Sequence, residues 1–259
     1  MTSLYWSMTS AEASASEYEY PVRDQFFREA NALLEHLYLL LVSGPFRFTI
    51  HNRSPEKAIW LLHVDAQDTL REILKALKDD EHRVAAKLFR VAFEALDLAA
   101  YFSAKTDESQ AQLSKWYEGQ IVPHRLWRGF LVGSGNEDAA AVRKRSYEQL
   151  SLHVHRAYPA ILNSYIAGGS SKDYMVHDGY QATVSERGFE ARKSLVHPQV
   201  ISLHCSTLAD MILLAVEEMI LREVAPAEDV TRAVQSSFET DTVPRRFELP
   251  WGEHTESPG

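Results

Sequence analysis

Five polar side chains in two predicted helices have the types and the spacing to form one network. Arg90 and Glu94 are four residues apart, so on a helix they lie one turn apart and can form an ion pair. Tyr147, Ser151 and His155 recur at the same step and share one column of a second helix. We expect the guanidinium and carboxylate to meet the hydroxyls and imidazole. Such a network would bind a small ligand or a protein partner.

The burial of the two faces decides between this network and a plain surface. The column borders an apolar arc that includes Leu150, Val154 and Ile161, and a buried polar group without a partner costs about 1–3 kcal/mol. If the face is solvated, the ion pair of Arg90 and Glu94 contributes only about 0.3–0.5 kcal/mol to stability. The helix that carries this ion pair has one polar stripe, formed by Arg83, Lys87, Arg90, Glu94, Asp97 and Tyr101.

The two motifs resemble a family of bacterial all-α proteins. Its pattern is an Arg-x-x-x-Glu helix and then a Tyr-x-x-Leu-Ser-x-x-x-His helix, and the likeness covers roughly residues 55–165. The resemblance implies a helical arrangement similar to HEPN-type domains. Many of those act in prokaryotic defence or toxin systems, as ribonucleases or nucleotide binders. The resemblance supplies no activity, but it implies that the five polar residues form a site.

A second candidate site follows from the HEPN likeness. HEPN ribonucleases carry an arginine, four to six residues and then a histidine, and Arg192 with His197 matches that spacing. The histidine would act as general base or acid, while the arginine would stabilise the phosphorane charge. About two such matches are expected by chance, and Pro198 disfavours helical geometry at His197. A metal-independent ribonuclease is therefore one alternative to a binding or regulatory protein, and a structural interaction module is another.

The composition limits partners, cofactors and location. The 259 residues carry a net charge of −9, which does not favour RNA, because nucleic-acid binding usually needs a basic face. Cys205 is the only cysteine, which excludes an intrachain disulfide and favours the cytoplasm. We predict no metal and no cofactor, since His63, Asp65 and Asp68 are more typical of a helix surface or a hydrogen-bonded edge. The start lacks the pattern of a signal peptide, and no apolar run reaches the ~20 residues that span a membrane.

The hydrophobic periodicity predicts an all-α fold, a bundle of about six main helices. Its fifth helix is expected to run from Asn136 to Ala167. A small β-hairpin is expected near residues 174–184, with Asp178 and Gly179 as its turn. A homodimer is expected if the first helix exposes apolar side chains.

The ends of the chain differ from its centre in composition. Residues 1–20 are small, polar and acidic, which predicts a disordered segment, and residues 21–225 carry the helical periodicity of the bundle. Residues 226–259 contain several prolines and predict a tail with at most one short helix.

Aromatic and basic side chains are close together in sequence around Pro123. The expected structure is a hydrophobic cluster beneath a kinked loop, and the functional alternative is a patch for a partner, a lid or a nucleotide base. The residues concerned are Trp116, Arg125, Trp127, Arg128 and Phe130.

Overall fold

A computed structural model describes residues 3–15, 19–44, 46–127, 148, 165–167, 174–177, 180–185, 188–193 and 198–238. In this part of the chain the α-helices are α1 (Ser10–Ala15), α2 (Tyr20–Ser43), α3 (Pro55–Lys78), α4 (His82–Ser103), α5 (Asp107–Tyr117), α6 (Pro198–Leu221) and α7 (Ala227–Ser237). The predicted all-α bundle is confirmed. None of these helices combines the length and the apolar character needed to cross a membrane.

Side-chain caps mark the starts of α3 and α5. Ser54 precedes α3, and its hydroxyl accepts a hydrogen bond from the Lys57 backbone N–H at 3.2 Å. Pro55 then occupies the first helical position, where its missing N–H costs nothing. Thr106 caps α5 in the same way by accepting from the Ser109 backbone N–H.

The hydrophobic core lies between α2, α3, α4 and α6. Helices α3 and α4 pack against each other along their length, α6 contacts both, and α2 packs on α3 and α6. Burying a side chain of leucine or phenylalanine size contributes about 1.5–3 kcal/mol, so this core fixes the position of α4. The largest fully buried side chains are Trp6, Phe26, Leu33, Leu34, Leu37, Leu41, Leu70, Ile73, Leu77, Phe89, Tyr101 and Phe102.

The described part of the N-terminal segment is more ordered than the composition predicts, and the tail contains the one short helix that the sequence allows. A 3₁₀ turn covers Leu4–Trp6, α1 follows it, and Trp6 is fully buried. The expectation of disorder over residues 1–20 is therefore wrong for the residues of that segment that the structure describes. Helix α7 lies in the predicted tail and packs on α2. The rings of Trp6 and Phe238 lie 5.3 Å apart between centroids, so one buried aromatic residue anchors each polar end.

A small antiparallel sheet follows the helices of the first half. The pairing of His177 with Tyr180 confirms the strand pair that the sequence predicts around Asp178 and Gly179. The sequence does not predict the two outer strands, and the expectation that the fifth helix continues to Ala167 is wrong, because Tyr165–Ala167 forms a strand. Three residues are too few for a period to separate helix from strand. The strands, in their order in the sheet, are β1 (Tyr165–Ala167), β2 (Tyr174–His177), β3 (Tyr180–Ser185) and β4 (Gly188–Lys193).

Candidate functional site

The ion pair expected on α4 is present. The Arg90 Nε–H donates to Glu94 Oε1 at 2.7 Å, and the two side chains are 12% and 28% exposed. The pair is therefore mostly withdrawn from water. Tyr147, Ser151 and His155 lie outside the described residues, so their contact with the pair stays a prediction.

The second half of the polar stripe of α4 is buried. Asp97 and Tyr101, which continue the stripe beyond the ion pair, are each only 2% exposed. Val84 and Val91 on the same helix are 43% and 45% exposed. The solvated interpretation of the stripe is therefore wrong for its second half. The physical reason is that α3, α5 and α6 all pack on α4, which the pattern of one helix cannot show.

A pocket opens beside the ion pair. It has a volume of about 340 Å³ and lies between α4, the end of α5 and the segment that follows α5. Glu94 supplies its carboxylate and His124 its imidazole, while the remaining side chains are mainly apolar or aromatic. The pocket is lined by Glu94, Leu98, Trp116, Gly119, Gln120, Ile121, Val122, His124 and Trp127.

Two tryptophans form the aromatic walls of this pocket. Trp116 packs edge-on against Phe102, with ring centroids 5.7 Å apart. Trp127 is 3% exposed, and its ring lies 5.2 Å from that of His124. The imidazole Nδ1 of His124 lies 3.8 Å from Glu94 Oε1, so the segment after α5 approaches the ion pair. Of the other residues in the predicted cluster, Arg125 is exposed, while Arg128 and Phe130 lie outside the described residues.

The pocket can bind a flat ring and accept hydrogen bonds from it. Indole faces stack on planar heterocycles, and a carboxylate in a partly desolvated position is a strong acceptor for N–H groups. The sequence predicts Glu94 and the tryptophans as members of separate groups and does not predict His124. The one available signal is Pro123, because a proline that starts a helical turn marks where the chain changes direction.

The structure describes only one of the two residues proposed for ribonuclease chemistry. Arg192 lies in β4, where it pairs with Gln181 of β3. His197 lies outside the described residues, so the geometry of this pair stays a prediction.

The histidine–aspartate group on α3 does not form a cluster. His63 is fully buried, whereas Asp65 and Asp68 are exposed. The interpretation of His63 as a surface residue is wrong, because it lies on the face of α3 that packs into the core. In the part of the chain that the structure describes, no group of three or more histidine, cysteine, aspartate or glutamate residues is placed to hold a metal ion.

Comparison with models of known protein families, with curated proteins and with solved structures finds no match to this chain. The family resemblance of the two motifs therefore stays a prediction.

Proposed function

We propose that the protein is a helical binding protein that takes a small planar heterocycle in the pocket beside Glu94. The observation that carries this proposal is the meeting of a carboxylate with two tryptophans in one cavity of about 340 Å³. Cavities of this size hold small ligands, and a few polar groups among aromatic walls are typical of such sites. A network that only fixed the register of the helices would need no cavity at that position.

The chemistry of the lining selects the ligand class. A ring with exocyclic N–H groups, such as a nucleobase, stacks on Trp116 while its donors bind the carboxylate of Glu94. Arg90 holds that carboxylate in place through the 2.7 Å hydrogen bond. Guanosine is the best first probe, because its edge offers two adjacent N–H donor groups to one carboxylate.

Titration of the full chain with guanosine, adenosine, cytidine and uridine tests this proposal. We expect saturable binding by ligand-observed NMR, with guanosine tightest. We expect Glu94→Gln to weaken it about tenfold, because a hydrogen bond to a charged group is lost. Glu108→Gln is the matched control, since it removes an exposed carboxylate of α5 that does not line the pocket. The proposal fails if none of the four nucleosides binds, or if both variants lose the same affinity.

The ribonuclease and defence roles remain alternatives that rest on the family resemblance. Cleavage of RNA without metal by the wild-type chain, and its loss in His197→Ala, would favour them over simple binding. The net charge of −9 does not favour RNA as a ligand. A cytoplasmic location belongs to the same proposal and rests on the single cysteine.

A homodimer is a further part of the proposal. Helix α2, the first main helix, exposes Leu39 and Val42 near its end, at 45% and 40%. Light scattering after size exclusion measures whether the chain is monomeric or dimeric.

A further inference from the structure

Glu29 of α2 is a buried carboxylate that receives most of its hydrogen bonds from the N-terminal segment. Its Oε2 accepts from the indole Nε1–H of Trp6 at 2.9 Å and from the Ser3 backbone N–H at 3.2 Å. Its Oε1 accepts from the Gln25 side chain of its own helix at 2.9 Å. Glu29 is 1% exposed, and these three hydrogen bonds all come from neutral donors. The carboxylate of Glu29 thus holds the indole N–H of Trp6 inside the fold.

The walls of this site fit an aromatic side chain. The Trp6 ring lies 5.0 Å from the ring of Phe26 and 5.3 Å from that of Phe238, and Trp6 is fully buried. The neighbouring Tyr5 packs edge-on against Phe26 at 5.5 Å, and its hydroxyl lies 3.3 Å from Ser202 Oγ. Two adjacent aromatic residues therefore fit a groove that α2, α6 and the end of α7 form.

The N-terminal segment adds buried side chains to helices that also contact one another directly. Helices α2, α3, α4 and α6 contact one another directly. The segment lies across α2 and α6, where Ser206 Oγ donates to the Met8 carbonyl at 2.9 Å and α1 packs along α6. Its Leu4 side chain points outward and is 53% exposed. The core of four helices thus has contacts of its own if the segment leaves.

We propose that residues 3–15 form a detachable strap, and that the groove beneath it is a peptide-binding site that recognises a tryptophan by its indole N–H. The strap of the same chain is the occupant. When the strap leaves, the Glu29 carboxylate exchanges the indole for water and a slot opens between Phe26 and Phe238. A second segment that carries a tryptophan in the same register restores both contacts. This site is separate from the pocket at Glu94.

A fluorescently labelled peptide with the sequence of residues 1–15 tests the proposal on the full chain. We expect saturable one-to-one binding to the Trp6→Ala chain, and at least tenfold weaker binding to the wild type, whose own strap fills the groove. A peptide with Trp6→Phe keeps a ring but lacks the N–H donor, so its affinity should fall about tenfold. A peptide with Leu4→Ala is the matched control and should bind like the native one, because Leu4 is exposed.

If Trp6→Ala loses its helical circular dichroism, the Trp6→Phe chain replaces it, since phenylalanine fills most of the slot. A folded variant that does not bind the native peptide overturns the proposal, as do equal affinities of the native and Trp6→Phe peptides. A wild-type dimer that Trp6→Ala converts to a monomer would show the strap seated in a second copy, which also overturns it. In the wild type we expect faster hydrogen exchange in residues 4–13 than in α3 and α4, and equal protection would exclude detachment.

Discussion

His63 and Gln67 are polar side chains on the buried face of α3. Neither ring nitrogen of His63 has a hydrogen-bond partner among the described residues, and the same is true of Gln67 Oε1. The Gln67 Nε2 group has only the Met219 sulfur, at 3.8 Å, which is a weak acceptor. Both residues are 0% exposed. A polar atom buried without a partner costs about 1–3 kcal/mol, so these two residues lower the stability of the fold.

Replacing His63 by leucine should therefore stabilise the protein. Leucine is similar in volume and leaves no polar atom unpaired, so we expect the free energy of unfolding to rise by about 1 kcal/mol in urea denaturation. Leu70→Ala on the same helix is the control, because Leu70 is fully buried and its truncation should cost about 2–5 kcal/mol. A clear loss of stability in His63→Leu would show that the imidazole has a partner in solution.

Two buried histidines should make the fold sensitive to mild acid. Burial lowers the pKa of His63 from 6.5 to about 4, against the opposing effect of Glu218. Burial also lowers the pKa of His82 to about 4, although the negative charge of Asp80 acts in the opposite direction. Between pH 6.5 and about 4, these histidines bind protons in the unfolded chain but not in the folded chain. The free energy of unfolding should therefore fall as the pH drops from 6.5 to about 4, and this effect should be complete below pH 4.

Each histidine should contribute a slope of about 1.4 kcal/mol per pH unit inside that window. Urea denaturation of the wild type and of His63→Leu at a series of pH values measures it. The variant should lose less stability with acid than the wild type does. Equal slopes in the two proteins would mean that His63 is already protonated, or solvated, in the folded state.

At the scale of the element, the start of α3 depends on one side chain. Ser54 Oγ accepts the Lys57 backbone N–H at 3.2 Å, so Ser54→Ala should lower the free energy of unfolding by about 1 kcal/mol. Ser54→Gly should cost only a few tenths of a kcal/mol, because glycine is itself tolerated at this position. The hydrogen bond from the Tyr117 hydroxyl to the Ser54 carbonyl uses the backbone and is kept in both variants. Equal stability of the alanine and glycine variants would contradict the capping role.

The starts of α3 and α5 show which features of the fold can be predicted from the sequence. Ser54 and Pro55 signal the start of α3, and Thr106 does so for α5, because capping uses atoms within one turn of the chain. The Arg90–Glu94 pair could be predicted for the same reason. Local chemistry thus determines helix boundaries and contacts along one helix.

Contacts between distant parts of the chain could not be predicted in this way. The burial of Asp97 and Tyr101 depends on what packs over α4. The approach of His124 to Glu94 depends on how the chain returns after α5. Burial of Trp6 depends on Phe26 and Glu29 of α2 and on Phe238, which follows α7. A pattern within one segment carries no information about these partners, so neither the pocket nor the strap groove could be predicted from the sequence.

At the scale of the whole molecule, the two ends of the described chain meet on α2. Trp6 lies between Phe26 and Phe238, at centroid distances of 5.0 and 5.3 Å. His36 Nδ1 of α2 lies 2.9 Å from Ser237 Oγ at the end of α7. The strap and α7 thus share one contact surface, so loosening either end should weaken the attachment of the other.

A double-mutant cycle measures this coupling between the ends. The rings of Trp6 and Phe238 are perpendicular, at 90°, and an edge-to-face pair contributes about 0.5–1.5 kcal/mol beyond its buried area. We expect Trp6→Leu and Phe238→Leu, each of which removes one ring, to show a coupling energy of that size in urea denaturation. Trp6→Leu combined with Trp116→Leu is the control, and it should be additive within about 0.5 kcal/mol, because Trp116 packs against Phe102 and Tyr117 instead. Additivity of the first pair would mean that the two ends attach to α2 independently, since each anchor would then keep its full contribution when the other is weakened.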